Sequence, residues 1–349
     1  MSDEILIRTE GRAGRITLNR PKALNALTWE MCLKIDAALK DWAGDAEVAL
    51  VLIDGAGERA FCAGGDIAEM YRTGTEGDYD YGRRFWADEY RMNARLYEFP
   101  KPVVSFLQGF TMGGGVGVGC HGSHRIVGES SKIAMPECGI GLVPDVGGSL
   151  LLSRAPGRLG EYLGTTGARM GPGDAIRAGF ADHYLPEADW DALKAELCLS
   201  GDCEAVDRAC EAAPESPLAD QQAEIDTHFG GETLGDILRS LRAAESDFAR
   251  ETLEIMSRNA PLSMGCTVEM LHRLRPEATI RDALAQEYRF TYRAMERGDF
   301  LEGIRAAIID KDRAPRWSHE LDNLAEEDVA AMLAPLDAQA LTFGEEAAT

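Results

Sequence analysis

Two kinds of residue in this chain are placed to do chemistry. One is a run of glycines: Gly109, Gly113, Gly114, Gly115, Gly117, Gly119 and Gly122. The other is a pair of carboxylates, Glu137 and Asp145, each directly after a proline and set among small or apolar residues. Glycine has no Cβ, so it lets backbone approach a ligand closely or take positive φ. Bare N–H groups can then point at an anion, or at an oxygen that gains charge during a reaction. A carboxyl among apolar side chains is pushed toward a raised pKa, and a second carboxyl nearby raises one of the two further. N–H donors beside tuned carboxyls suit acyl chemistry. Each carboxylate also has a plainer reading, as a helix N-cap or as the partner of an arginine. A second glycine turn, at Ala63, Gly64, Gly65 and Asp66, adds a bare N–H at another strand-to-helix junction. Two donors from separate loops are what an oxyanion hole requires.

Alternating strands and helices must hold these residues. Residues 5–9 and 14–19 alternate apolar and polar, as paired strands around a Gly-containing turn do. Thr28 is placed to cap an amphipathic helix over 29–42. Residues 48–54 read as a strand buried on both faces. The stretch 55–66 reads as a Gly-rich turn running into a helix over 67–71, and 73–82 as a mobile surface loop. A helix over 83–98, a strand over 103–107 and a helix over 112–121 follow. Short strands are expected at 125–129 and 132–136, and short helices at 148–155, 158–164 and 172–178. After Tyr184 the β-branched runs stop, and apolar residues fall three to four apart, as at Ile237, Leu238, Leu241 and Phe248. The expected layout is an α/β core over 1–185 and a helical region over 186–349, ending in an acidic, alanine-rich tail.

Composition excludes several functions. The 349 residues carry 36 Lys and Arg against 59 Asp and Glu, a net charge of −23. That balance opposes nucleic acid and anionic membranes as partners, while leaving room for a small anionic ligand. No apolar run approaches the roughly 18 residues of a membrane span. The first ten residues lack a signal h-region and an Arg-rich transit pattern, so a cytoplasmic protein is expected. Eight cysteines without a CxxC pair read as reduced packing residues. Gly117, Gly119 and Gly122 spell a dinucleotide fingerprint, but inside a denser glycine run and after two strand–helix units, so it reads as chance. His121 and His124 beside Cys120 fit a helix face poorly as ligands and read as packing or turn residues; no metal is expected. No GxSxG elbow supports a serine hydrolase.

Four segments in order, NRPKALNAL (19–27), AFCAGGDI (60–67), GFTMGGGVG (109–117) and PECGIGL (136–142), resemble the crotonase, or enoyl-CoA hydratase/isomerase, superfamily. The resemblance implies an α/β fold, a spiral of ββα units with a C-terminal all-helical region. It implies acyl-CoA thioester substrates, so coenzyme A is part of the substrate and no separate cofactor is called for. It implies an oxyanion hole from the N–H groups of Gly65 and Gly114. Coenzyme A would lie along Lys22, Ala23 and Leu24, and along Ala63, Asp66 and Ile67. A homo-oligomer, trimeric in kind, is also implied.

Hydratases of the superfamily place water between two glutamates, one after the glycine turn and one in the Pro-Glu motif. The first position falls here on Gly117, which leaves only Glu137, while Asp145 stands where typical hydratases have glycine. This pattern is similar to the branch that hydrolyses the thioester of 3-hydroxyisobutyryl-CoA in valine breakdown. Segments 88–93, 260–264, 287–293 and 299–317 agree with it and carry the resemblance over about 5–330. It implies that Glu137 acts at the acyl carbon, as general base or as nucleophile. Asp145 would orient the 3-hydroxyl or share a proton with Glu137, and Glu89 would contact the same hydroxyl end. An isomerase of the same fold is one rival, although it needs a second acid near Gly117. A catalytically silent acyl-CoA-binding protein is another, against which the presence of both carboxylates argues.

Overall fold

In the computed structural model, which describes residues 3–274 and 276–344, nine strands follow in chain order. They are β1 (Ile5–Glu10), β2 (Ala13–Leu18), β3 (Leu50–Gly55), β4 (Ala60–Ala63), β5 (Val103–Phe106), β6 (Phe110–Met112), β7 (His124–Val127), β8 (Lys132–Ala134) and β9 (His183–Tyr184). Alternation along β1 and β2 pairs them antiparallel, and the fully apolar β3 then joins β2 in parallel. From there the chain sends one strand in turn to each of two sheets. The first sheet has the order β1-β2-β3-β5-β7-β9, and the second has β4-β6-β8. That alternation produces the spiral of ββα units.

The described residues of Met1–Asp66, Arg95–Met135 and Arg169–Gln221 form one compact unit, which contains every strand. Its core joins Leu50, Leu52, Val104, Phe106 and Ile126 of the larger sheet to Trp190, Leu193 and Leu197 of the helix Trp190–Ser200. The helix Trp29–Ala43 also belongs to it, with Thr28 Oγ1 accepting from the Met31 N–H at 3.3 Å. The described residues of Ile67–Ala94, Pro136–Ala168 and Gln222–Thr349 form a second unit, built of helices. Every strand thus precedes residue 185, while compactness divides the chain along other lines.

Local expectations differ from the structure in two places. Strands β4 and β6 occupy stretches whose glycines suggest turns or helix. The polar segment 73–82 is mostly helical: one helix, Ala68–Thr75, runs through its start and another, Asp80–Tyr97, begins at its end. Packing explains the second case. Thr73 is buried, and a Cβ on Gly74 would come within 2.7 Å of Leu301 and Met295 side chains.

Candidate active site

In the strand-bearing unit, sheet register relates the two glycines expected to supply N–H donors. β4 and β6 pair in parallel with Ala63 opposite Met112. Gly65 and Gly114 each lie two residues beyond that rung. Gly113, at φ 50°, turns the chain from β6 into the helix Gly114–Gly119. The N–H groups of Val116 and Gly117 return to the Gly113 carbonyl at 2.8 and 3.2 Å. Gly114 opens that helix, where its own N–H has no acceptor within the helix. Gly115 sets the approach: a Cβ there would lie 2.2 Å from the Cys62 carbonyl of β4. Only glycine lets helix and strand come this close.

Around Gly65 the Leu27 N–H donates to the Gly64 carbonyl at 2.9 Å, and the Asp66 N–H to Leu27 at 2.8 Å. Successive backbone groups of an extended chain face opposite ways, so the Gly65 N–H points away from Leu27. The same contacts bring two proposed coenzyme A segments together. Ala63 N–H donates to the Leu24 carbonyl at 3.0 Å, and Arg20 pairs with Asp66 at 2.8 Å. Buried Asn25 secures the loop holding Lys22, Ala23 and Leu24, donating to the carbonyls of Ala56 and Ala60 at 3.0 and 2.9 Å. Ile67 lies at the first position of the second unit.

The helical unit gathers the carboxyls. Glu89, Glu137 and Asp145 are only 4%, 4% and 3% exposed, and none pairs with a lysine or arginine among the described residues. That sets aside the arginine-partner reading. Burial pushes Asp145 up to about 7, against the hydrogen bond that Tyr90 Oη donates to its Oδ2 at 2.7 Å. Burial first and the Asp145 charge second raise Glu89 well above the usual carboxylate range. Glu137 is raised well above it too, by burial, then by Asp145, with Glu287 adding a smaller push. Glu89 Oε1 and Glu137 Oε2 are buried without a hydrogen-bond partner. A buried polar atom left unpaired is costly, and such atoms mark places where a ligand completes the bonding. Carboxyls in this state can hold a proton at neutral pH and pass it on.

Four contributors to this cluster are not among the expected site residues: Tyr90, Ser149, Glu287 and Thr291. Glu287 accepts hydrogen bonds from Gly147 N–H at 2.8 Å, Ser149 N–H at 3.0 Å and the Ser149 hydroxyl. Thr291 Oγ1 lies 3.5 Å from the Tyr90 hydroxyl. A signal for Glu287 was present, because it falls on the apolar stripe formed by Ala283, Leu284, Thr291 and Ala294. As for the histidines, His121 is buried with its ring 5.8 Å from Tyr97, and His124 stacks on His183. Among the described residues no group of three or more His, Cys, Asp or Glu could hold a metal.

A model of the enoyl-CoA hydratase/isomerase family matches residues 13–333. The chain belongs to that family. Within this crotonase-type family, the rat mitochondrial 3-hydroxyisobutyryl-CoA hydrolase is 37% identical over 352 residues, covering 97% of this chain and 91% of that protein. A crystal structure from Rhodobacter sphaeroides, described as an enoyl-CoA hydratase, is 60% identical with a TM-score of 0.94, covering 97% of this chain and 100% of that one. Another, from Mycobacterium thermoresistibile and described as a carnitinyl-CoA dehydratase, is 42% identical with a TM-score of 0.93 and covers 99% and 100%. The α/β spiral of ββα units with an all-helical C-terminal region is the fold of this crotonase-family chain. The expectation of a cytoplasmic protein does not stand, because the hydrolases that match across the chain are named as mitochondrial. The expectation rested on the pattern of the first ten residues, which does not by itself report the compartment.

Proposed function

We propose that the chain hydrolyses the thioester of a short 3-hydroxyacyl-CoA, foremost 3-hydroxyisobutyryl-CoA, releasing 3-hydroxyisobutyrate and free coenzyme A as a step of valine breakdown. The observation that carries the proposal is the buried cluster of Glu89, Glu137 and Asp145, with partnerless oxygens on the two glutamates. The rat hydrolase's name supports it as well. The N–H groups of Gly65 and Gly114 receive the thioester oxygen as it gains charge. One such donor is worth roughly 3 kcal/mol of barrier. Glu137 acts at the acyl carbon in its ionised form, as general base on water or as nucleophile through a transient mixed anhydride. A water oxygen ends bonded to the acyl carbon, directly or by cleaving the anhydride. The carbon–sulfur bond breaks, and coenzyme A leaves as thiolate and takes up the proton that the water gave up. Glu89 and Asp145 meet the 3-hydroxyl: the protonated carboxyl donates to it and the ionised one accepts from it. Coenzyme A itself runs along Lys22, Ala23 and Leu24 and along Ala63, Asp66 and Ile67. The acting form is a homo-oligomer, trimeric by family resemblance.

A second reading has specific support, since two solved relatives are described as a hydratase and a dehydratase. Against it stands Gly117, at the position that would supply the second carboxylate for adding water to a double bond. The experiment is thiol release from 3-hydroxyisobutyryl-CoA beside loss of crotonyl-CoA absorbance, for wild type and Glu137→Gln. Thiol release from the hydroxyacyl thioester alone, reduced about 10³-fold or more in the variant, is expected. Crotonyl loss without thiol release would instead make the chain a hydratase.

A further inference from the structure

The helix Ile280–Arg297 carries a carboxyl where an amphipathic helix ordinarily places an aliphatic side chain. Glu287 is fully buried. Its two oxygens take three hydrogen bonds, and all three donors belong to one turn: Gly147 N–H, Ser149 N–H and the Ser149 hydroxyl. That turn starts at Asp145, whose carbonyl accepts from the Gly148 N–H at 2.7 Å. It is also strained, since buried, β-branched Val146 sits at φ 55°. A side chain of that shape leaves the left-handed region unless its surroundings over-determine it. Glu287 supplies that restraint on the C-terminal side of Val146. One helical turn beyond Glu287, Thr291 lies against the Tyr90 hydroxyl, which donates to Asp145. A single helix therefore restrains Asp145 twice, through its backbone turn and through Tyr90.

We propose that Glu287 is a positioning residue: it holds the 145–149 turn in the strained form that aims the Asp145 carboxyl, and so sets the preference for acyl groups bearing a 3-hydroxyl. The inference rests on the role proposed for Asp145 above. Glu287→Gln keeps the side chain's volume but turns an NH2 group toward backbone N–H donors. Ser149→Ala removes one donor of the three and serves if the first variant does not fold. In the full-length protein, kcat/KM is measured on 3-hydroxyisobutyryl-CoA and on isobutyryl-CoA, together with amide exchange of the 142–152 segment. The expected result is a preference for the hydroxylated substrate lowered about tenfold or more in Glu287→Gln and about threefold in Ser149→Ala. The isobutyryl rate falls by less than the 3-hydroxyisobutyryl rate, and the turn exchanges faster. An equal loss on both substrates, or unchanged exchange, would overturn the proposal. A wild type with no hydroxyl preference would instead sink the proposed function, and the exchange arm alone would then decide whether Glu287 holds the turn.

Discussion

The two compact units place their chemical groups by opposite means. In the strand-bearing unit the candidate groups are backbone N–H donors, which follow a strand rung and a close helix–strand approach at Gly115 that admits no Cβ. In the helical unit they are carboxyl side chains, tuned by burial and by one another. Donors of the first kind do not titrate, and their aim depends only on sterics. Groups of the second kind change state with pH and depend on partners distant in sequence: 140 residues separate Gly147 from Glu287. Under the proposed function, the N–H donors of the first unit would serve any thioester, while the carboxyls of the second would select the acyl group.

The hardest test of that contrast is Gly115→Ala. Its methyl would meet the Cys62 carbonyl, which is backbone and cannot turn aside, so helix and strand must separate. Loss of about 100-fold in kcat is expected, equally on hydroxylated and plain acyl-CoA, read by steady-state kinetics on both. A loss confined to one substrate would erase the distinction. Asp145→Asn probes the other unit and should lower the hydroxyl preference by about tenfold or more. It should also change the pH dependence of stability. Asp145 titrates near 7 in the fold against 3.8 as its ordinary value, so between those values the folded state holds a proton that the unfolded chain has lost. Stability therefore falls as pH rises through that window, and asparagine removes the slope. Thermal melts should show the variant gaining on wild type between pH 4 and pH 8, by at most about 4 kcal/mol. A constant difference would mean that burial does not tune Asp145. The smallest effect belongs to Thr279→Ala, which breaks the capping box with Asp282 that opens the helix bearing Glu287. A cost of about 1 kcal/mol in denaturant midpoints is expected, with the hydroxyl preference unmoved.

The strand-bearing side was the more legible in sequence. Clustered glycines leave a mark in the residue string, and Gly65, Gly114 and the loop around Lys22 are nominated from local motifs. Even there β4 and β6 escaped notice, because three- or four-residue strands beside glycines carry too little alternation to announce themselves. Glu89, Glu137 and Asp145 are named from motifs, whereas Tyr90 and Glu287 lie in matching segments without an assigned role and Ser149 lies outside them. Their roles come from tertiary packing, and a glutamate within a charged helical segment reads as solvent-facing until its place on the apolar stripe is noticed. The segment 73–82 shows the same limit. Its polar residues suggest a loop, yet Leu301 and Met295, more than 200 residues on, pack against Gly74 within it.

The reach from Gly147 to Glu287 also bears on how the protein is made. A ribosome adds about 5–20 residues per second, so the Asp145 turn emerges on the order of ten seconds before the glutamate that secures it. Through that interval the nascent chain exposes Leu150, Leu151 and Leu152 beside carboxyls that still have the ordinary acidity of water-exposed groups. Those charges keep the waiting segment soluble, and burial raises the carboxyls' hold on a proton once the chain has folded.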